Sequence, residues 1–222
     1  MNIDAVVFDV NETLFSLAPV SERMVAVGLD ADRLESWFRA ILVDGIGAAA
    51  AGRFVSFSSL ARDHLAVELR RADLEASEEV ISDILGGFAR TEAHPDVRPA
   101  LERLAAAGVR TATLTNGTVA VTRSFLERAE LASLVDEVWD VEEAGSWKPA
   151  PAAYRWAVAR LGLPARRVAM VAVHAWDVQG AMAAGLVGAF LQRAGAAPYP
   201  PSLPEPHHRE TSLLRLVETL LT

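Results

Sequence analysis

Val6-Val7-Phe8-Asp9-Val10-Asn11-Glu12-Thr13-Leu14 begins as an apolar strand and ends on a carboxylate where the chain must turn. Ligands of open α/β sheets bind in the crevice beyond the carboxyl ends of the strands, so an Asp in this place is positioned for chemistry. The peptide alone leaves a second reading open, in which Asp9 caps the turn through its side-chain oxygen.

After about residue 95, short apolar runs alternate with helical periodicity. A helix over 98–108 precedes a strand over 109–114, and a helix over 119–130 precedes one over 137–139. Helices over 151–162 and 178–185 lead to strands over 168–173 and 187–191. Strands separated by single helices make βαβ units and a parallel sheet, which the strand over 3–9 joins. Between residues 15 and 90 no strand pattern is present. Helices are predicted over 31–42, 58–71 and 74–88, with the small-residue run from Gly45 to Gly52 as a break between them. The expected organisation is a core of residues 1–14 and 95–222 and a helical cap of 15–94, inserted beside Asp9 where it would exclude water. Residues 194–206 read as an irregular loop before a final helix over 210–221.

The 222 residues, 51% of them hydrophobic, are enough for a large core. There is no cysteine, so no disulfide, thiolate metal site or Cys nucleophile enters the argument. A net charge of −8 without a basic stripe speaks against a nucleic-acid partner. No apolar run approaches the roughly 18 residues of a membrane span, and no export signal is visible at the N-terminus, so the expectation is a cytoplasmic protein without a membrane partner.

Four segments fall just beyond strand ends: Asp9, Thr115-Asn116-Gly117, Lys148-Pro149, and His174-Ala175-Trp176-Asp177. Together they offer a nucleophilic carboxylate, a hydroxyl and an amide, an ammonium group and a second carboxylate. That set suits attack by an ionised Asp, with Lys148 neutralising crowded negative charge.

In these four segments the chain resembles the haloacid dehalogenase superfamily of hydrolases, which implies an α/β, Rossmann-like parallel-sheet core with a helical cap inserted after the first strand. Phosphatases of that superfamily carry an Asp two residues after the nucleophile and bind magnesium through an additional Asp in the last loop. Here those places hold Asn11 and Val173. Glu12, Glu142 and Glu143 are candidates to substitute for them, although adjacent acids on a loop usually face solvent. The chain resembles more specifically the type II 2-haloacid dehalogenases, which need no metal or other cofactor. That resemblance rests on Arg39 within Glu35-Ser36-Trp37-Phe38-Arg39, Lys148-Pro149 followed by Tyr154, Trp176-Asp177, and Gly180-Ala181 followed by Gly185.

The resemblance implies the following roles. Asp9 displaces halide from C2 of a small carboxylate and forms an ester; Asp177 orients or activates the water that hydrolyses it. Lys148 keeps both carboxylates ionised. Thr115 and the backbone N–H groups near Val10 and Asn11 bind the substrate carboxylate. Arg39 and Asn116 receive the halide, with Trp176 and cap aromatics such as Phe38, Phe54 or Phe57 as a dry wall. The branch commonly shows Tyr-Gly where this chain has Asn11-Glu12, and Ser-x-Asn where it has Ala172-Val173-His174. His174 is thus either an aid to ester hydrolysis or a structural partner of Asp177. His64, His94, His207 and His208 read as surface or packing residues. Two other functions stay open at this point: a magnesium-dependent phosphatase, and a non-catalytic small-anion-binding protein. The resemblance to dimeric dehalogenases also implies a homodimer.

Overall fold

The computed structural model describes residues 3–222, in which Ala5–Phe8 forms β1, with all four residues buried. β-branched and aromatic side chains suit a strand covered on both faces. β1 pairs in parallel with β2 (Arg110–Thr115) on one side and with β4 (Val168–Ala172) on the other; Val7 lies opposite Ala112 and Met170. β3 (Glu137–Asp140), β5 (Val187–Leu191) and β6 (His208–Glu210) complete a six-stranded parallel sheet in the order β3-β2-β1-β4-β5-β6. This is a doubly wound order, and its reversal point lies between β1 and β4.

The helices of this unit are α5 (Val97–Ala106), α6 (Val119–Arg128), α7 (Pro151–Leu161), α8 (Ala175–Ala183) and α9 (Leu213–Leu220). One face of the sheet carries Ala5, Val7, Leu114 and Met170 against Tyr154, Ala157 and Leu161 of α7 and Ala181 of α8. Of these, Val7, Leu114, Met170 and Leu161 each contribute roughly 1.5–3 kcal/mol by leaving water. Gly180 of α8 is required for close approach. A Cβ there would stand 2.6 Å from the Pro149 carbonyl oxygen and 2.7 Å from the Tyr154 ring.

The chain divides into two compact units, one of residues up to 15 and from 93 onward, the other of residues 16–92. The second unit is helical: α1 (Ala18–Ala26), α2 (Arg33–Ala50), α3 (Phe57–Arg71) and α4 (Glu78–Leu85), followed by a short 3-10 turn. Ser56 and Ser77 cap α3 and α4 by accepting from the N–H groups of Ser59 and Val80.

Several boundaries depart from the sequence reading. The expected break from Gly45 to Gly52 is helical through Ala50, because Trp37, Ile41 and Gly45 form one buried stripe at i, i+4 spacing and alanine is the best helix former. α1, which has Pro19 in its first turn, was not anticipated. α8 starts at Ala175 rather than 178, so Asp177 sits in a helix rather than a loop. The final helix starts at Leu213, and the residues before it include β6, a polar three-residue strand that exists through its backbone pairing with β5. Among the described residues, no helix is long and apolar enough to cross a membrane.

Candidate active site

β1 delivers Asp9 to the carboxyl edge of the sheet, where its backbone N–H still donates to the Val171 carbonyl at 3.0 Å. Its carboxylate meets three side chains. Oδ1 accepts from Lys148 Nζ at 2.9 Å; Oδ2 accepts from Thr13 Oγ1 at 2.8 Å and faces His174 Nδ1 at 3.1 Å. Lys148 also donates to Asp177 Oδ2 at 2.6 Å, and Tyr154 donates its hydroxyl to Asp177 Oδ1 at 2.6 Å. Lys148 and Asp177 are fully buried and Asp9 nearly so. The loops after β1, β3 and β4 therefore converge on one ion cluster.

Burial alone would raise the Asp9 pKa, but the Lys148 charge and the His174 hydrogen bond outweigh it and hold the carboxyl well below its ordinary value. For Asp177 the balance goes the other way: burial dominates, and with the nearby Asp9 charge it raises the pKa despite Lys148. Its place in the first turn of α8 puts the carboxylate at the positive end of a helix. Burial depresses the Lys148 pKa, yet the two carboxylates more than restore it, and the net shift is upward. Burial and the Asp177 charge push the Tyr154 phenol well up, so it is a fixed donor.

Asn116 engages the Lys148 backbone twice, accepting from its N–H at 3.0 Å and donating to its carbonyl at 3.3 Å. This makes it a brace for the loop that ends in the ammonium group. Thr115 is buried at the end of β2, its hydroxyl accepting from the Gly117 N–H at 2.9 Å. Val10 and Asn11 are buried in the turn after Asp9. His174 caps α8 in extended conformation, and its ring stacks on Trp176 with centroids 5.2 Å apart. The Lys148 ammonium lies 5.9 Å from the Trp176 ring centroid.

Arg39 belongs to the helical unit, where its side chain is 72% exposed and pairs with Glu35. Phe38 and Phe57 pack on each other in that unit, and Phe54 is 42% exposed.

The sequence alone assigns no role to Thr13 or Arg193, and gives Tyr154 only as part of a pattern. Thr13 lies four residues after Asp9, a spacing that a one-turn loop brings back to the carboxylate. Arg193 carries no local signal: it follows β5 and reaches the Thr13 carbonyl at 2.7 Å and Asp96 at 3.1 Å. His94 adds a contact to the Glu12 carbonyl at 3.2 Å, so the turn after the nucleophile is held from two sides.

The donor set does not suit a divalent cation. Magnesium needs several hard oxygens in near-octahedral array, whereas an ammonium group bridges these two carboxylates and Val173 contributes only hydrocarbon. Among the described residues no group of three His, Cys, Asp or Glu side chains is placed to hold a metal ion.

A doubly wound sheet with a carboxylate–ammonium–carboxylate cluster at its carboxyl edge belongs to a hydrolase. The chain is a member of the haloacid dehalogenase-like hydrolase family, whose model matches residues 3–185. It is similar to (S)-2-haloacid dehalogenase 1 of Pseudomonas sp. (strain CBS-3), at 30% identity over 99% of this chain and 97% of that protein. It is also similar to a Mycobacterium tuberculosis protein named a phosphatase, at 31% identity over 88% of this chain and 90% of the other. Among solved structures, an L-2-haloacid dehalogenase from Xanthobacter autotrophicus with chloropropionic acid covalently bound superposes with a TM-score of 0.87. The two chains are 25% identical, and 98% of each is covered.

Proposed function

We propose that the chain is a metal-independent dehalogenase of small 2-haloacids that works through an aspartyl ester. The observation that carries this reading is the Lys148 bridge between Asp9 and Asp177, which supplies the positive charge of the site from the chain itself. Asp9 attacks C2 through one carboxylate oxygen. The new C–O bond forms as the C–halogen bond breaks, and the halide leaves with the bonding pair. Water then adds to the ester carbonyl carbon and gives its proton to Asp177, whose raised pKa makes it the better base of the two carboxylates. The tetrahedral intermediate collapses by breaking the acyl C–O bond. The 2-hydroxy acid takes the proton from Asp177, the second proton of the water is released to solvent, and Asp9 returns as a carboxylate that carries one oxygen from water.

In this scheme Thr115 and the backbone around Val10 and Asn11 receive the substrate carboxylate, Asn116 positions Lys148, and Trp176 provides apolar wall. Arg39 keeps the halide-binding role that the sequence pattern implies. The same resemblance extends the proposal to a homodimer without cofactor, and the sequence expectation of a cytoplasmic protein completes it.

The likeness to the Mycobacterium protein favours a second reading, a magnesium-dependent phosphatase with Asp9 as phosphoryl acceptor. Halide release from 2-chloropropionate in chelator, beside phosphate release from a generic ester with magnesium, separates the two. The dehalogenase reading requires release that Asp9→Asn abolishes. A single turnover in ¹⁸O-water should label Asp9 and leave the product hydroxyl unlabelled; label in the product instead would overturn the ester.

A further inference from the structure

We propose that His174 is a catalytic residue of the second half-reaction: with Thr13 it forms a two-donor oxyanion site on Asp9 Oδ2, leaving Oδ1 to attack the substrate. This rests on the dehalogenase reading above. The two oxygens of Asp9 are not equivalent. Among the described residues, Oδ2 faces two donors, Thr13 Oγ1 at 2.8 Å and His174 Nδ1 at 3.1 Å, and its two lone pairs are thereby engaged. Among the same residues Oδ1 accepts from Lys148 alone, at 2.9 Å, and keeps a lone pair for C2.

Once Oδ1 has formed the ester bond, Oδ2 is the carbonyl oxygen. Attack by water on the ester carbon places the negative charge on Oδ2, where the two donors already point. Collapse returns that electron pair to the carbonyl as the bond from carbon to Oδ1 breaks. The direction of the His174 contact follows from the charge of its partner. An ionised Asp9 has no hydrogen to give, so Nδ1 carries it.

Both donors are oriented in advance. The Thr13 hydroxyl accepts from the Val173 N–H at 3.2 Å, which leaves its own hydrogen for Oδ2. The His174 ring is fixed by its stack on Trp176 and by its backbone place at the start of α8. Donors fixed before charge develops are the arrangement in which electrostatic stabilisation contributes most. Asp177, fully buried and held by Lys148 and Tyr154, cannot supply this function, because it carries no donor toward Oδ2.

The test is rapid-quench turnover of 2-chloropropionate by His174→Leu and His174→Asn, with halide and intact-protein mass followed together. His174→Leu should release one equivalent of halide in a burst and then stall. The protein should gain the mass of the substrate acid less hydrogen halide, with steady-state turnover lower by about 10²-fold. His174→Asn, whose amide N–H lies as many bonds from the backbone as Nδ1, should hydrolyse the ester and show no accumulation. Should the leucine variant fail to fold, Thr13→Val removes the other donor and should accumulate the same adduct. If wild type is active but neither donor-less variant accumulates ester, or if burst and steady state fall together, the role of His174 is overturned while the dehalogenase reading stands. If wild type releases no halide, that reading itself fails.

Discussion

Lys148 Nζ stands 2.6 Å from Asp177 Oδ2, and both side chains are completely removed from solvent. A pair so placed is compensated only as long as both members and the Asp9 carboxylate are present. Lys148→Met would leave two carboxylates facing each other in a dry site. It should cost about 3–5 kcal/mol in stability and abolish turnover. Denaturant unfolding with an activity assay measures both; a variant as stable as the parent would show that the cluster does not depend on its cation.

Tyr154→Phe removes the hydroxyl that Asp177 Oδ1 uses and leaves packing intact. A hydrogen bond to a charged group contributes about 1.5–3 kcal/mol, so a loss of that size is expected in unfolding free energy. Turnover should fall through misplacement of Asp177, which the hydroxyl holds. An unchanged unfolding midpoint would mean that the 2.6 Å contact contributes nothing to the folded state.

The same variant reads the pH dependence. The Asp177 pKa is raised above its ordinary 3.8, so folding favours its protonated form and stability declines as pH rises from 3.8 through the folded value. Asp9 has the opposite sign: its pKa is lowered, and its contribution is present above 3.8 and lost as pH falls through the folded value. On acidification Asp177 therefore takes a proton first, and the acid limb of kcat/KM reports Asp177 rather than Asp9. The Tyr154 hydrogen bond lowers the Asp177 pKa, so Tyr154→Phe should move that limb to higher pH. Lys148, raised above 10.5, contributes stability that is complete below 10.5 and lost as pH rises through its folded value. A limb that does not move in Tyr154→Phe would assign it to another group.

Gly180→Ala introduces a methyl group 2.6 Å from the Pro149 carbonyl oxygen. Either α8 or the Lys148-Pro149 loop has to shift, and overpacking of this kind costs about 1–3 kcal/mol. Activity should fall more than stability, since both elements carry members of the ion cluster. A crystal structure of an active Gly180→Ala protein with Lys148 unmoved would contradict this.

Much of the sheet is legible in the residues because β1, β4 and β5 are apolar runs, and β2 alternates β-branched threonines with Ala112 and Leu114. β6 was hidden because its three polar residues carry no hydrophobic pattern; an edge strand is made by a backbone ladder whose partner lies about twenty positions upstream. The extent of α2 was missed because Gly45 looks like a breaker until Trp37 and Ile41 place it on the buried stripe. At the site, Asp9, Lys148 and Asp177 were visible as charged residues just beyond apolar strands. Thr13 was written in the same stretch, but a hydroxyl carries no local mark of its target. Arg193 was invisible, because its partners Thr13 and Asp96 are distant in sequence. The double contact of Asn116 with the Lys148 backbone likewise joins residues 32 positions apart, which no local pattern marks.

The contacts of Asp9 with Lys148 and His174 span 139 and 165 positions of chain. During synthesis the nucleophile emerges first and waits, on the order of ten seconds at ribosomal rates, for the segments that complete it. Closing such long loops comes late in assembly, after the conformational entropy of everything between has been surrendered. A nascent or truncated chain lacking the region beyond β3 therefore has an ordinary aspartate at its head. The cluster is complete only when the segments carrying Lys148, His174 and Asp177 have joined β1, so the nucleophile and the groups that hydrolyse its ester arrive together.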